Sequence, residues 1–221
     1  MQESIVRFEN ISMQFPGVLA NDNVSFDIKK GEVIVIIGPS GCGKSTMLSL
    51  MAALDAPQEG EIRFGGTLLK DIKTAQYRRN CVTTIFQKFN LLPYATVIEN
   101  VMYPQLLNGA KATDARKAAE ECLSKVDIGE KFHARLPKNL SGGEQQRVAI
   151  ARALAAGAKV ILADEPTGNL DEDNSRRVVE LLARLAREEG RTVIMVTHDG
   201  ELARKADVMF SLRGGKLLEI G

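Results

Sequence analysis

The chain has 221 residues, 29 of them Lys or Arg and 28 Asp or Glu, for a formal charge of +1, with 44% hydrophobic and 26% charged side chains. That is an ordinary soluble globular composition, long enough to bury a substantial core in one large domain without disulfide or metal staples. The near-neutral balance lacks the basic excess of a dedicated nucleic-acid binder, so no nucleic acid is expected as a partner. Cys42, Cys81 and Cys122 are scattered and free of CxxC spacing, which points away from a disulfide framework or zinc site and toward a reducing compartment. Met1-Gln2-Glu3-Ser4 carries no basic segment followed by an apolar one, and no apolar run approaches the roughly 18 residues needed to span a bilayer. The expected location is the cytosol, or a membrane surface to which something else holds the chain.

Short apolar runs alternate with helical patterns, as a mostly parallel α/β sheet requires. Phe15 precedes Pro16-Gly17-Val18, and Val33 to Ile37 then reads as a strand apolar enough to be covered on both faces. It runs straight into Gly38-Pro39-Ser40-Gly41-Cys42-Gly43-Lys44-Ser45-Thr46, a full match to GxxxxGK(S/T), continued by a helix through Met47 to Met51. Glycines there let backbone N–H groups approach phosphate oxygens, and the helix N-terminus adds its dipole. Lys44 neutralises the β- and γ-phosphates, and the Ser45 hydroxyl ligates Mg2+. A plain glycine-rich turn before a helix would leave Lys44-Ser45 unexplained. Cys42 is either a small residue filling its place in this loop or a thiol, favoured as thiolate beside Lys44 and the helix end, whose alkylation blocks nucleotide.

Val82 to Phe86 is the next expected strand, and from about Lys88 to Gly157 the pattern is helical, a lobe inserted between two portions of the sheet. Within it Ala115, Ala118, Ala119, Cys122, Leu123 and Val126 form one stripe, so Cys122 reads as a core residue. Leu140-Ser141-Gly142-Gly143-Glu144 opens a helix running to Ala155, with Ser141 and Glu144 at capping-box spacing. That is a sufficient account of a helix start. Yet Gly142-Gly143 costs roughly 1 kcal/mol per glycine relative to alanine while baring N–H groups, which a second phosphate-binding helix end would explain. Val160 to Ala163 is a strand ending in Asp164-Glu165. Beside a phosphate loop the first carboxylate suits Mg2+, mostly through its water shell, and the second suits the general base that orients water. A helix follows Asp173 with Val178, Leu181, Leu182 and Leu185 inward, and Thr192–Val196 and Val208–Leu212 complete five strands.

Together the phosphate loop, Leu140-Ser141-Gly142-Gly143-Glu144 and Asp164-Glu165 resemble the nucleotide-binding subunit of an ABC transporter over nearly the whole chain. Gln87 in Phe86-Gln87-Lys88-Phe89-Asn90 resembles the Q-loop glutamine, Asn169-Leu170-Asp171 the D-loop and His198 the switch histidine. Phe15 stands where the family places an aromatic on adenine; its other reading is a core residue of the first hairpin. The resemblance implies an α/β fold of P-loop NTPase type, with a RecA-like sheet core over 1–87 and 158–221. It also implies an inserted helical subdomain over 88–157 and an N-terminal antiparallel β portion. It further implies ATP and Mg2+ as cofactors, catalysis by Lys44, Gln87, Glu165 and His198, and metal contacts from Ser45, Gln87 and Asp164. Two copies would meet head to tail, so that ATP on one phosphate loop faces Ser141-Gly142-Gly143 of the other.

The apolar and aromatic stretch Phe89 to Tyr94 then lies where a cytoplasmic helix of an integral membrane permease would dock, with the cassette peripheral on the cytoplasmic face. Asp164 to Asp171 with Phe89 to Pro93 resembles the lipoprotein-releasing, macrolide-exporting and antimicrobial-peptide-resistance ATPases, and the related cell-division ATPase. Polar amino-acid importers usually carry Ser-Ala-Leu-Asp in the D-loop, and Phe15 to Ala20 looks more like sugar importers. Soluble family members of translation or DNA repair carry paired cassettes or long coiled coils, neither of which is seen between Lys44 and Asp164. A nucleotide-holding module without hydrolysis would not be expected to keep Gln87, Glu165 and His198.

Overall fold

The computed structural model describes residues 3–199 and 205–220; Met1 and Gln2, part of the terminal stretch read above for a leader, lie outside them. In chain order the strands are β1 (Ser4–Phe15), β2 (Val18–Lys29), β3 (Val33–Ile37), β4 (Glu59–Phe64), β5 (Thr67–Leu68), β6 (Val82–Phe86), β7 (Val160–Asp164), β8 (Thr192–Thr197), β9 (Val208–Arg213) and β10 (Lys216–Glu219). The helices are α1 (Lys44–Met51), α2 (Thr74–Asn80), α3 (Val97–Leu107), α4 (Ala112–Lys125), α5 (Gly142–Ala155) and α6 (Glu172–Glu189). No helix among the described residues is long and apolar enough to cross a membrane.

Two sheets form, a six-stranded one in the order β10-β9-β3-β8-β7-β6 and an antiparallel one in the order β2-β1-β4-β5. The five apolar strands read from the sequence are the parallel part of the larger sheet, and β10 closes its edge antiparallel to β9. All six residues of β8 and four of the five in β3 are buried, because both faces are covered. The period-two alternation assigns each residue to one side. Val33, Val35, Ile161, Ala163, Val193 and Met195 pack with Val101, Leu123, Ile150 and Leu182 of the helices. Their neighbours Ile34, Ile36, Leu162, Ile194 and Val196 pack on the other face with Met47 and Leu50 of α1 and with Phe8, Ile11 and Ile28 of the antiparallel sheet.

Between β6 and β7 the chain is helical, with α3, α4 and α5 packed on one another. On α4 Ala115, Ala119 and Leu123 are buried while Ala118 and Cys122 are half-buried. Cys122 packs against the core, and burial pushes its thiol up. The last long helix begins two residues earlier than the sequence pattern suggests. Asp171, not Asp173, is its N-cap, accepting a hydrogen bond from the Asn174 N–H at 2.9 Å, and Gly190 ends it at φ +60°. Strands β4, β5 and β10 and helix α2 have no counterpart among the elements expected individually. They are short and largely exposed, and all but β5 carry charges, so their apolar signal is weak.

Helix α2 is fastened by one side chain. Tyr77 is buried edge-on against Phe64, and its hydroxyl donates at 2.7 Å to the carbonyl of Met51 at the end of α1. Replacing Tyr77 by Phe keeps the ring packing but strands that carbonyl in the core, a cost of about 1–2 kcal/mol. Urea unfolding of Tyr77→Phe is expected to show a lower midpoint with an unchanged slope; an unaltered midpoint would refute the role given to this bond.

Candidate active site

The loop between β3 and α1 is shaped by close backbone contacts. Gly43 sits at φ +103°, and a Cβ there would stand 2.1 Å from the Ala20 carbonyl oxygen of β2, so only glycine fits. Helix α1 has no side-chain cap, which leaves its first N–H groups available to an anion. Lys44 is buried and folds back over the loop, its Nζ donating to the carbonyls of Gly38 at 2.8 Å and Pro39 at 3.0 Å. The same ammonium is 3.7 Å from Glu165 Oε1.

The register of the parallel sheet brings the remaining groups to this end. Ile37 pairs with Thr197, Asp164 with Val196, and Phe86 with Asp164, so four strands finish side by side. Asp164 accepts a hydrogen bond from the Ser45 hydroxyl at 3.1 Å. Burial raises its carboxyl above the usual range, with the neighbouring Glu165 adding to the rise while Ser45 and Lys44 oppose it. Glu165 lies at φ +46°, a left-handed conformation that costs a non-glycine residue energy. Its N–H donates to the Val196 carbonyl at 3.0 Å, and its Oε2 is 2.9 Å from His198 Nδ1, an arrangement that needs the proton on Nδ1.

A cavity of about 760 Å³ opens over these groups, lined at its core by Lys44, Ser45, Gln87, Asp164, Glu165 and His198. Ser40, Gly41, Gly43 and Thr46 of the loop line it too, whereas Gly38, Pro39 and Cys42, expected among the nucleotide contacts, do not. The carbonyls of Gly38 and Pro39 are the acceptors of the Lys44 ammonium. The half-buried Cys42 side chain packs against the core and its N–H donates to the Pro39 carbonyl. Phe15 lines the cavity at the end of β1 and is 41% exposed, so it is not a core residue of the hairpin. Val18 and Ala20 at the start of β2 line it as well and were not anticipated, because small apolar residues in a strand carry no mark of a site.

Ser141, Gly142, Gly143 and Glu144 are not part of this cavity. They open α5 through a reciprocal cap, Glu144 N–H donating to Ser141 Oγ at 3.3 Å and Ser141 N–H donating to Glu144 Oε2 at 2.8 Å. Gly143 has a steric reason beyond bared N–H groups, since a Cβ would stand 2.5 Å from Asn174 Oδ1. Farther along α5 the Arg152 guanidinium donates to the carbonyls of Phe89 at 3.0 Å and Asn90 at 2.6 Å, two residues in left-handed backbone that follow Gln87. Arg152 lies outside every motif, and only the tertiary structure connects it to the site.

A family model described as ABC transporter matches residues 21–168. An uncharacterized ABC transporter ATP-binding protein of Methanocaldococcus jannaschii, MJ0796, is 43% identical over 206 residues, covering 90% of this chain and 88% of that protein. The lipoprotein-releasing system ATP-binding protein LolD of Rickettsia bellii is 40% identical over 222 residues, covering 98% of this chain and 99% of its own. The solved dimer of MJ0796 in a post-hydrolysis state bound to ADP and Pi matches with a TM-score of 0.86 at 38% identity, over 98% of this chain and 99% of that one. With its phosphate loop, paired carboxylates and histidine gathered at the carboxyl ends of the parallel strands, the chain belongs to the ABC transporter family as an ATP-binding, ATP-hydrolysing cassette.

Proposed function

We propose that this cassette closes on a second copy of itself around ATP and drives a separate integral membrane permease, in the lipoprotein-release, export or peptide-resistance branch. The observation that carries the reading is a division of labour. One cavity holds Lys44, Ser45, Asp164, Glu165, His198 and Gln87, while the capped helix end Ser141-Gly142-Gly143 lies outside it. A second copy supplies that helix end to the nucleotide of the first, giving two composite sites.

Within each site Phe15 stacks on adenine, with Val18 beside it. The loop N–H groups and Lys44 hold the phosphates, and the two carbonyl bonds to Lys44 keep its charge aimed into the loop. The Ser45 hydroxyl and Asp164 carboxylate are adjacent hard oxygens, a donor pair that fits Mg2+, with Gln87 completing the set. Bound there, Mg2+ would neutralise charge on the β- and γ-phosphate oxygens. Glu165 takes the proton of the attacking water, and His198 fixes its carboxylate through Nδ1 while its other nitrogen faces the γ-phosphate.

Leu92 and Tyr94 are exposed just beyond Gln87, Tyr94 at 94%, whereas Leu91 packs into the core. This half-buried junction receives a cytoplasmic helix of the permease, which keeps the cassette on the cytoplasmic face of a membrane. The LolD relatives, 40% identical in Rickettsia bellii and 46% in Geobacter metallireducens, support lipoprotein release among the export-type readings. The sugar-importer-like Phe15 to Ala20 favours a small-solute importer as the second reading.

Isolation from native membranes in mild detergent, followed by mass spectrometry, separates them. A permease with few spans and a large extracytoplasmic domain is expected; a multi-span permease with a solute-binding protein would make this an importer. Soluble partners alone would remove the transport assignment. Glu165→Gln is expected to keep ATP binding, accumulate an ATP-stabilised dimer by size-exclusion chromatography and lose nearly all turnover; undiminished hydrolysis would dismiss Glu165 as the base. Asp164→Asn removes a carboxylate that burial disfavours, so Mg2+-dependent turnover falls while the nucleotide-free protein melts higher. Because the folded pKa lies above the unfolded one, that stabilisation is full above the folded pKa and fades as pH falls through it. Equal melting at neutral pH would contradict the burial penalty.

A further inference from the structure

Gln87 does not hang free at the rim of the cavity. It rests on the turn that follows Glu165, a turn closed by the Gly168 N–H donating to the Glu165 carbonyl at 3.1 Å. The Asn169 carboxamide donates at 2.9 Å to the Gln87 main-chain carbonyl, and its oxygen lies 3.5 Å from Gln87 Nε2. Gly168 makes the room: a Cβ there would stand 2.5 Å from Gln87 Nε2, 3.0 Å from Cδ and 3.3 Å from Cγ. Its φ lies outside the left-handed range, so this glycine is explained by the neighbouring side chain rather than by its backbone.

We infer that Gly168 and Asn169 are positioning residues that dock Gln87 on the Glu165 turn, Gly168 by leaving the space and Asn169 by holding the backbone. This rests on the reading of Gln87 as a group of the ATP site. On its far side the same loop is held by Arg152 through Phe89 and Asn90. Gln87 therefore sits between an anchor on the catalytic turn and an anchor on α5, with Lys88 as the one intervening residue. The amide end of Gln87 is flexible, so a methyl group on residue 168 moves the carboxamide without opening the core. A displacement of about 1 Å at a reacting centre is enough for a substantial loss of rate.

The test is a cycle of Gly168→Ala and Gln87→Ala, read as kcat and KM for ATP in the dimer-competent protein with Mg2+. Gly168→Ala is expected to melt like the parent and to lower kcat roughly tenfold with KM changed little, a fraction of the loss that misplacement can bring. In the Gln87→Ala background the three atoms nearest that methyl group are gone, so the same substitution is expected to cost far less and the two effects do not add. Equal losses from Gly168→Ala in both backgrounds would overturn the inference, as would no loss in the parent background when Gln87→Ala alone is impaired.

A second readout stands apart from turnover. The side-chain amide resonance of Gln87 in 15N-labelled, nucleotide-free protein, assigned by its absence in Gln87→Ala, is expected to shift in Gly168→Ala and in Asn169→Ala. An unmoved resonance in both overturns the docking itself. Normal turnover by Gln87→Ala instead overturns the earlier reading of Gln87, and the docking is then decided by the resonance.

Discussion

The pairing of Asp164 with Phe86 on one side and Val196 on the other is the constraint on which the site depends. It makes β6, β7 and β8 finish level with β3, so the residues that follow each strand share one end of the sheet. A one-residue slip would turn every side chain of a strand to the opposite face. It would exchange the two core sets, putting Ile161 and Ala163 where Val160 and Leu162 belong. The burial pattern thus enforces the register, and the register brings Lys44, Gln87, Glu165 and His198 together. That is the general logic of open parallel sheets, whose ligands lie beyond the carboxyl ends of the strands.

The same end of the sheet collects unfavourable terms. Glu165 has a left-handed backbone, Asp164 a desolvated carboxylate and Lys44 a buried ammonium. Each is compensated locally: the N–H of Glu165 is tied to β8, Asp164 receives the Ser45 hydroxyl, and Lys44 has two carbonyls and a carboxylate nearby. The doubly covered core holds this arrangement in place, which is how folded proteins keep strain where chemistry needs it.

Much of the fold was legible in the sequence because its signals are local. Val33 to Ile37 and Thr192 to Val196 announce buried strands by composition, and Gly38 to Thr46 announces the loop by spacing. The start of α6 lies before the Asp173 expected from the apolar stripe, because the stripe reports only from Val178 onward, while the cap is set by Asp171 receiving the Asn174 N–H. Less legible were the contacts that hold the site in position. Asn169 meets Gln87 across 82 residues and Arg152 meets Asn90 across 62, distances over which no periodicity reports. Gly143 and Gly168 look like backbone glycines, yet the side chains of Asn174 and Gln87 are what exclude a methyl group there.

Helix α5 carries the Ser141 cap at its N-terminus and Arg152 near its other end, so the two are fixed on one stiff rod, about 16 Å apart at the usual rise per residue. No proline interrupts it. The capped glycine end and the carbonyls of Phe89 and Asn90 are thus joined through one continuous, largely buried helix.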